Sequence, residues 1–452
     1  MADLVVMRLP LAAPDISQLF THLNPDDMAR IASHIAPTID DQYLHWDQLR
    51  HRTPPAGLSV EQWWLAIAMG RAPLLQALPL LDQAGRPFQF AVPNPIQIDL
   101  HHIDRDAAGH IRAQSDNPLE ADRQRYLLNS LIEEAITSSQ LEGASTTRKV
   151  AAEMLRAGRK PRDTSERMIF NNYRAMEYIR SLKQQALTPA LIQQLQQMLT
   201  EGTLDDPADA GRWRNSDDVR VVDNRDGTIL HQPPAAADIP QRMQQLCEFA
   251  NADEAARPFV HPVLRAILLH FMIGYDHPFA DGNGRTARAL FYWSMARSGY
   301  WLMEFVSISH ILRQAPAQYV KAYLHSETNN DTTFFLLHQL ATVRKAIVAL
   351  HDYLVRKTRD QRDTERLLHN ARLRGQLNHR QIALLSHALK NPGQGYRIDA
   401  HQRSHAVVYQ TARTDLLGLE NLGLLDKAKQ GQASVFYTPD NLRQRIEQLR
   451  QR

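Results

Sequence analysis

Apolar residues recur at helical spacing along most of the chain. This spacing predicts helices at Pro25–Ile35 and Ser59–Ala77 and, between Asn117 and about Leu350, at Arg123–Gln140, Ser165–Lys183, Thr188–Glu201, His261–Tyr275, Arg285–Ser298, Ala317–Glu327 and Thr333–Arg356. Thr188 directly before Pro189 is typical of a helix N-cap. The proline-containing segment FAVPNPIQIDLHHID reads as extended chain. The pattern therefore predicts a mainly α protein.

One segment departs from the helical pattern. In DDVRVVDNRDGTILHQPP, β-branched runs flank residues 224–227, and Asp226-Gly227 is a strong hairpin turn signal. We expect one β-hairpin at 219–234 within the helical region.

The C-terminal part changes character after the last apolar helix. RKTRDQRDTERLLHNARLR is dense in charge and predicts a solvated helix or linker. The segments NHRQIALLSHALKN, RSHAVV and YQTARTDLLGLENLGLL then predict three helices, followed by a turn and the strand SVFYTP. We expect a mixed, mainly helical N-terminal region at 1–115, a core at 116–350, a helical linker at 351–374 and a separate domain at 375–452.

Composition narrows the class of protein. The 452 residues are 43% hydrophobic and 22% charged, typical of a soluble globular protein. The 52 basic and 49 acidic residues are too balanced to indicate nucleic acid as the main partner. The single cysteine, Cys247, excludes an intramolecular disulfide and favours a cytoplasmic location. No signal peptide is expected, and apolar runs such as VLRAILLHFMIGY are shorter than the roughly 20 residues that span a bilayer, so no membrane partner is expected.

The segment HPFADGNGRTAR carries the clearest chemistry. Gly282 and Gly284 let backbone amides approach a ligand at the start of a helix, which is a natural anion site. Arg285 and Arg288 lie three residues apart and can both reach phosphate oxygens. The segment also holds one carboxylate suited to Mg²⁺ and one histidine able to accept a proton near neutral pH.

This segment resembles the signature of the Fic family, His-Pro-Phe-x-Asp/Glu-Gly-Asn-Gly-Arg-x-x-Arg, at every fixed position from His277 to Arg288. The resemblance implies that His277 is the catalytic base, taking the proton of a Tyr, Ser or Thr hydroxyl that attacks the α-phosphorus of ATP. It implies that Asp281 holds Mg²⁺ and that the Asn283 region and the arginines receive pyrophosphate. The ATP-binding residues expected in the motif are Asp281, Gly282, Asn283, Gly284, Arg285, Thr286, Ala287 and Arg288.

The family also gives the hairpin a role, as a flap that pairs with an extended segment of a target protein. The flap residues expected beside the nucleotide are Thr228, Ile229, Leu230 and His231. His231 could instead be a second base, although the family gives that role to the motif histidine. Tyr319, Tyr323 and Asn330 could line the adenine pocket, and core packing explains the two tyrosines equally well.

An upstream segment, SSQLEGAS, resembles the inhibitory motif of the same family, Ser/Thr-x-x-x-Glu-Gly/Asn, through Ser138, Glu142 and Gly143. Ser138 and Glu142 lie on one face of a helix at 123–143 that Gly143 can cap. The resemblance implies a salt bridge between Glu142 and Arg288 that displaces the γ-phosphate of ATP.

The C-terminal domain resembles a winged helix-turn-helix with a recognition helix around Tyr409–Leu425. From Gln410 to Leu425, Arg413 stands against Asp415 and Glu420, a net charge of −1, and Lys427 and Lys429 improve this slightly. Binding of DNA, docking of a protein and dimerisation all remain open.

The sequence thus favours an autoinhibited protein adenylyltransferase that uses ATP and Mg²⁺ to modify another protein or itself, with a homodimer plausible for the family. One alternative is a Fic enzyme that removes AMP or transfers another phosphate-linked group. The other is a DNA-binding regulator in which the Fic fold senses nucleotide.

Overall fold

The computed structural model describes residues 8–21, 23–108, 123–223, 225–370, 375–430 and 433–449. In the first half of the chain the helices are α1 Ile16–Thr21, α2 Pro25–Ala32, α3 Trp46–Leu49, α4 Val60–Arg71, α5 Asn94–Ala107, α6 Arg123–Leu141, α7 Arg148–Ala157, α8 Thr164–Ser181, α9 Pro189–Thr200 and α10 Ile239–Asn251. In the second half they are α11 Pro262–Asp276, α12 Asn283–Arg297, α13 Ile308–Gln314, α14 Pro316–Asn329, α15 Thr333–Asn370, α16 His379–Ala388, α17 Ile398–His405, α18 Tyr409–Asn421 and α19 Leu442–Gln448.

The strands are few and form three small antiparallel sheets. Two of these are the hairpins β1 Gln76–Leu81 with β2 Pro87–Phe90 and β3 Val221–Val222 with β4 Ile229–His231. The third has the order β5-β7-β6, formed by β5 Gly395–Arg397, β6 Asp426–Gln430 and β7 Ala433–Tyr437. The mainly α prediction and the hairpin within the helical region are confirmed. The predicted flap includes Asn224, which lies outside the described residues.

The chain divides into two compact units. The first comprises Met1–Gly109, Glu134–Thr146 and Arg162–Ala346, and the second comprises His110–Glu133, Thr147–Pro161 and Ile347–Arg452. Every residue predicted for the catalytic and inhibitory sites belongs to the first unit. The expected boundary near residue 115 lies outside the described residues.

Helices α11 and α12 form the centre of the first unit and pack side by side. Helix α11 is apolar on nearly all sides, and Leu268, Phe271 and Ile273 are fully buried, as expected for a helix surrounded by protein. Helices α8 and α9 pack on α12. The hydroxyl of Thr188 accepts a hydrogen bond from the Leu191 amide, so the N-cap prediction for α9 is confirmed.

The extended reading of residues 90–104 is wrong for most of that segment. Pro95 lies in the first turn of α5, where a missing amide hydrogen costs no intrahelical bond. Ile96, Leu100, Ile103 and Ala107 then recur on one buried face. The β1–β2 hairpin just before it was not predicted.

Helix α4 lies within its predicted range. Trp63 and Trp64 of α4 are both buried and belong to the hydrophobic core of this region. Ser59 caps α4 through the amide of Gln62, and the helix ends at Arg71, short of the predicted Ala77.

Helix α15 is longer than predicted, because the charged segment after Arg356 continues the same helix to Asn370. Residues 371–374, the end of the predicted linker, lie outside the described residues. The portion Thr333–Arg356 is long and apolar enough to cross a membrane. Phe335, Leu336, Leu340 and Val343 are fully buried in it, which is the behaviour of a core helix.

The second unit has its own core, formed by buried residues such as Leu385, Leu416, Leu419, Phe436 and Ile446. The middle helix, predicted at RSHAVV, begins and ends earlier, as α17 at Ile398–His405. It ends there because Ala406 adopts a left-handed conformation with φ 49°.

Candidate active site

The junction between α11 and α12 carries the predicted catalytic histidine. His277 is the C-cap of α11, and its amide donates to the carbonyl of Ile273 at 3.1 Å. Its φ of 42° is uncommon for a residue other than glycine and turns the chain sharply out of the helix. The loop then runs to Gly282, and α12 begins at Asn283, two residues earlier than predicted.

The hydrogen bonding of His277 fixes which ring nitrogen can act as a base. Nδ1 lies 2.5 Å from the carbonyl oxygen of Gly274, which can only accept, so Nδ1 carries the hydrogen. The lone pair of the neutral ring is therefore on Nε2. Burial lowers the pKa of His277 to about 4, which keeps the ring neutral at physiological pH.

Arg214, which was not predicted, holds the backbone at this histidine and at the residue after it. Its Nε donates to the His277 carbonyl at 2.9 Å, and its amide donates to the Pro278 carbonyl at 2.9 Å. The same guanidinium reaches the carbonyl of Pro234, directly after the flap. Arg214 is buried and thereby ties the flap to the catalytic loop.

Asn283 closes the loop instead of facing a ligand. Its side-chain oxygen accepts from the Phe279 amide at 3.0 Å, and its nitrogen donates to the Phe279 carbonyl at 2.8 Å. The prediction that the Asn283 region receives pyrophosphate therefore does not apply to its buried side chain. The amide groups at the start of α12 remain suited to that role.

Arg285 also differs from the sequence expectation. Its side chain is fully buried and donates to the Leu199 carbonyl at 2.9 Å and to Asp281 at 3.1 Å. The prediction that both motif arginines reach phosphate does not match this arrangement, in which Arg285 supports the loop from inside. Thr286 and Ala287 have wholly buried side chains, so only their backbone could serve a nucleotide.

Asp281 is the exposed carboxylate of the loop, with 53% of its side chain accessible. The described residues contain no cluster of three His, Cys, Asp or Glu side chains able to hold a metal alone. Mg²⁺ commonly binds one or two carboxylates and completes its shell with substrate phosphates and water. Asp281 fits that kind of site.

Glu142 occupies the anion position at the start of α12. Its Oε1 lies 2.7 Å from Nη2 of Arg288, and a Cβ atom placed on Gly284 would fall 2.1 Å from the same oxygen. The missing side chain at Gly284 thus lets a carboxylate approach the helix N-terminus closely. Burial alone would raise the pKa of Glu142, but Arg288, with smaller contributions from Arg285 and His277, holds it below its usual value.

Ser138 completes the contacts of Arg288, whose side chain is only 2% exposed. Nε of Arg288 donates to the Ser138 hydroxyl at 2.8 Å, and Nη2 donates to the Ser138 carbonyl at 3.0 Å. Gly143 follows with φ 94°, and the amide of Ala144 donates to the Ser139 carbonyl, closing the helix end. Two of the three predicted inhibitory residues, Ser138 and Glu142, therefore bind Arg288, and Gly143 lies at the end of the helix.

A second buried carboxylate, Glu134, anchors the helix that carries Glu142. It accepts hydrogen bonds from the hydroxyls of Tyr292 at 2.9 Å and Ser307 at 2.8 Å, and from the hydroxyl and amide of Ser309. These contacts join the end of α6 to α12 and to the start of α13. No periodic pattern of residues indicates this role of Glu134.

The flap strand β4 brings His231 next to the catalytic loop. Its ring centroid is 6.5 Å from that of His277, and its nitrogens contact Glu327 and the Tyr275 carbonyl. Leu230 is also buried, whereas Ile229 is 43% exposed and Thr228 is half-buried.

The predicted adenine-pocket residues separate into two groups. The Tyr319 hydroxyl contacts Nε2 of the buried His270 at 2.7 Å, and Tyr323 donates to the His270 carbonyl at 3.2 Å. Both rings contact Phe335 in tilted arrangements and are half-buried. Asn330 instead caps α14 and donates to the Pro87 carbonyl, so its amide links α14 to the β1–β2 hairpin.

The part of the chain that contains the centre of this site matches a known protein family. Residues 186–295 match the model of the Fic/DOC family. This match contains the flap, α11, the catalytic loop and most of α12.

Curated relatives carry the name protein adenylyltransferase Fic. The Nematostella vectensis protein is 28% identical over 234 residues, covering 50% of this chain and 52% of that protein. The Drosophila melanogaster protein is 39% identical over 70 residues, 16% of this chain and 14% of that protein. The chain thus spans about half the length of the first of these relatives.

Solved structures with similar folds include a Fic family protein from Desulfovibrio desulfuricans G20. It has 16% identity and a TM-score of 0.49 and covers 77% of this chain and 97% of that one. Fic-1 of C. elegans has 19% identity and a TM-score of 0.42 and covers 57% and 71%.

Proposed function

We propose that this chain, whose residues 186–295 match the model of the Fic/DOC family, is an autoinhibited protein adenylyltransferase that moves AMP from ATP to a protein hydroxyl. The observation that carries the proposal is the pairing of a neutral histidine with an anion site at one helix junction. His277 offers Nε2 as a base at the end of α11, and the start of α12 attracts an anionic group strongly enough to hold Glu142.

In the proposed reaction, His277 accepts the proton of a Tyr, Ser or Thr hydroxyl on Nε2. The hydroxyl oxygen forms a bond to the α-phosphorus of ATP as the bond from that phosphorus to the bridging oxygen of the β-phosphate breaks. Pyrophosphate leaves with the bonding electrons. The amides at the start of α12 and the guanidinium of Arg288 bind its negative charge.

Asp281 would hold Mg²⁺, which supplies positive charge to the phosphate oxygens when it is bound. The contribution of the chain is to keep that carboxylate in place. Gln196 donates to the Asp281 carbonyl at 3.0 Å, and Arg285 braces the side chain. Tyr319 and Tyr323 are the side chains we propose beside adenine.

We propose that Glu142 inhibits the enzyme by occupying the place of the terminal phosphate. Its carboxylate satisfies Arg288 and lies against Gly284, so a triphosphate would meet both a filled space and a like charge. Removal of this carboxylate frees Arg288 for ATP.

The target protein would dock on the flap. The hairpin β3–β4 has two strands, and Val222 and Ile229 expose apolar side chains beside backbone groups suited to β-augmentation. Such pairing would present a target hydroxyl to His277 with little demand on the sequence of the target.

The proposal is tested with purified wild type, Glu142→Gly and Glu142→Gly/His277→Ala, each incubated with Mg²⁺ and ATP labelled on the α-phosphate. We expect strong label on protein only for Glu142→Gly, with ATP labelled on the γ-phosphate as the negative control. Label from the γ-phosphate would indicate a different transferred group. No label with ATP binding intact would refute adenylyl transfer and favour another donor or AMP removal.

A second candidate function belongs to the C-terminal unit, and a specific observation favours it. Asp415, which opposed DNA binding in the sequence, is buried and accepts from Asn378 at 2.7 Å and from Arg380 at 2.7 Å. Although burial opposes ionisation, these donors hold the pKa of Asp415 below its usual value. The exposed face of α18 therefore carries Gln410, Arg413 and Thr414 without that carboxylate.

Arg413, Lys427 and Lys429 are exposed, and no carboxylate among the described residues lies within ion-pairing distance of them. We propose that this unit works as a winged helix-turn-helix that binds duplex DNA, with α18 in the major groove and the β6–β7 hairpin on the backbone. An exposed arginine beside polar side chains on α18 suits contacts with base edges, and exposed lysines on β6 suit contacts with phosphates.

Binding of a fluorescent mixed-sequence DNA duplex, measured by anisotropy at increasing salt, tests this role. We expect Arg413→Ala and Lys427→Ala/Lys429→Ala to weaken binding and to reduce the salt slope by about one per lost phosphate contact. Arg443→Ala, an exposed arginine on α19, is the matched control. No binding at low salt, or equal loss in the control, would refute the proposed interface.

A further inference from the structure

His231 is buried at the end of the flap strand β4, and both of its ring nitrogens are engaged. Nδ1 lies 2.8 Å from Oε2 of Glu327, and Nε2 lies 2.6 Å from the carbonyl oxygen of Tyr275. Glu327 lies on α14 and Tyr275 in the last turn of α11. One side chain thus connects the flap to two helices of the core.

The chemistry of these contacts requires an additional proton. A carbonyl oxygen can only accept, so Nε2 of His231 must carry a hydrogen. A neutral ring would then have a bare Nδ1 facing the carboxylate of Glu327. The contact is satisfied only if His231 and Glu327 share one more proton, and the partial exposure of the carboxylate favours the imidazolium–carboxylate form.

The electrostatic surroundings agree with this form. Burial alone would lower the pKa of His231, but the carboxylate of Glu327 and the Tyr275 carbonyl raise it above its usual value. Asp276, the other charged group of α11 beside the ring, adds to this effect, although its carboxylate is bound by Arg242 at 2.7 Å. Two further titratable groups among the described residues lie beside the ring, the phenol of Tyr275 with ring centroids 4.9 Å apart and His277 at 6.5 Å.

We propose that His231 and Glu327 form a charged positioning pair that locks the flap to the core and extends towards acid pH the range in which His277 is neutral and able to accept a proton. The inference deepens the proposed adenylyl transfer and rests on it. It assigns His231 neither of the roles considered from the sequence, because both nitrogens are occupied and neither is free to accept a substrate proton.

The contacts of this pair hold the flap strand β4 at the end of α11. The Tyr275 carbonyl lies two residues before His277, so the flap strand is held at the turn that presents the base. Gln83, from the β1–β2 loop, contacts the Gln232 carbonyl and donates its amide hydrogen to the Tyr275 hydroxyl at 3.0 Å, which places the same strand end against the core. A target segment paired with β4 would therefore be held in register with His277.

The effect on His277 follows from charge and distance. A positive charge on a ring 6.5 Å away disfavours a second positive charge on His277 and contributes to its lowered pKa, after burial. Because Glu327 offsets part of this charge, we expect loss of the ion pair to raise the pKa of His277 by about 0.5 to 1 unit.

The variant Glu327→Gln removes the charges of the pair while it preserves the hydrogen bonds of His231. A glutamine amide can donate to the bare Nδ1 of a neutral His231, while Nε2 still donates to Tyr275, so the contacts persist without the charges. In a Glu142→Gly background we expect the acid limb of the pH–rate profile for label transfer to move up by about 0.5 to 1 pH unit. Transfer near pH 8, where His277 is neutral in both proteins, should change far less.

Asp104→Asn is the matched control. His261 pairs with Asp104 at 3.1 Å and caps the opposite end of α11, about 24 Å from His277 by helix rise. Removing this carboxylate also breaks a histidine–carboxylate pair at α11. We expect the acid limb of the pH–rate profile to remain at the same pH. An equal shift in the control, or no shift with Glu327→Gln, would overturn the inference.

A readout without catalysis separates this inference from the proposed function. In protein labelled with ¹⁵N-histidine, His231 should show two protonated ring nitrogens near neutral pH, and one bare nitrogen in Glu327→Gln. A neutral His231 ring in the wild type would overturn the pair. If no variant transfers label while the imidazolium is present, the proposed reaction fails and the ion pair stands.

Discussion

Replacement of Glu142 by alanine removes the carboxylate that lies 2.7 Å from Nη2 of Arg288. Arg288 then keeps its bonds to the hydroxyl and carbonyl of Ser138 but loses its charged partner. Breaking a fully buried ion pair costs about 3–5 kcal/mol. Because the Glu142 side chain is 28% exposed, we expect the free energy of unfolding without nucleotide to fall by about 2–3 kcal/mol.

The same change should strengthen ATP binding. A phosphate oxygen that takes the vacated position regains a charge-assisted hydrogen bond worth about 1.5–3 kcal/mol. Because about 1.4 kcal/mol corresponds to a tenfold change in Kd, we expect ATP to bind about 10- to 100-fold more tightly. Thermal denaturation should therefore show a variant that is less stable without ATP and gains more from ATP than the wild type.

Calorimetric titration with Mg²⁺ and ATP measures the affinity, and Glu142→Gln is the matched control. Glutamine keeps most of the volume near Gly284 but removes the charge, so its affinity should lie between those of wild type and Glu142→Ala. Equal ATP affinity in all three folded proteins would refute the argument that this carboxylate competes with the triphosphate.

Three further outcomes follow from the site. Label transfer by the Glu142→Gly protein should stay near its maximum down to about pH 5 and fall towards pH 4, because burial lowers the pKa of His277 to about 4; an acid limb near pH 6.5 would contradict this. Asn283→Ala should lower the free energy of unfolding by about 1–3 kcal/mol, because two buried backbone groups of Phe279 lose their partner; unchanged denaturation would refute this role. Asp281→Ala should reduce the dependence of ATP binding on Mg²⁺ and should also lower thermal stability, because the fully buried Arg285 loses its carboxylate partner; a full Mg²⁺ dependence would exclude Asp281 as a ligand.

The parts of the fold that sequence reasoning found are those with a strong local signal. Helix α9 begins after the predicted Thr188 cap, and α11 differs from its prediction by one residue at each end. Its continuous apolar character also indicates the centre of the core. The β3–β4 hairpin was found because Asp226-Gly227 specifies a tight turn.

The errors in predicting helices arise where one residue type is compatible with two local structures. Pro93 and Pro95 were read as signals of extended chain, but they lie at the N-cap and in the first turn of α5, where proline is favoured. The four buried residues of that helix were visible in the sequence, and their spacing was the better signal. The length of α15 was missed because a charged segment suggested a boundary, although charge without proline or glycine does not end a helix.

In the candidate site, the sequence motif predicts which residues are present but not which way their side chains point. The motif located His277, Asp281 and Arg288, but it could not tell which polar side chains face a ligand. Asn283 and Arg285 support the loop from inside, and this depends on backbone carbonyls that leave no mark in the sequence.

Long-range partners were missed for the same reason. Arg214 contacts a residue 63 positions away, and His231 and Glu327 are separated by 96 positions. Asp415 counted against DNA binding when charges were summed along α18, although its carboxylate points into the C-terminal unit. Net charge along a segment does not distinguish a buried acid from an exposed one.

The central claim is tested most directly by mass spectrometry of protein incubated with Mg²⁺ and unlabelled ATP. For Glu142→Gly, we predict a Tyr, Ser or Thr side chain carrying one adenylyl group, which is the mass of adenosine monophosphate less one water, and no such modification for Glu142→Gly/His277→Ala. A different added group on the modified residue, or the same modification in the His277→Ala protein, would contradict adenylyl transfer with His277 as the base.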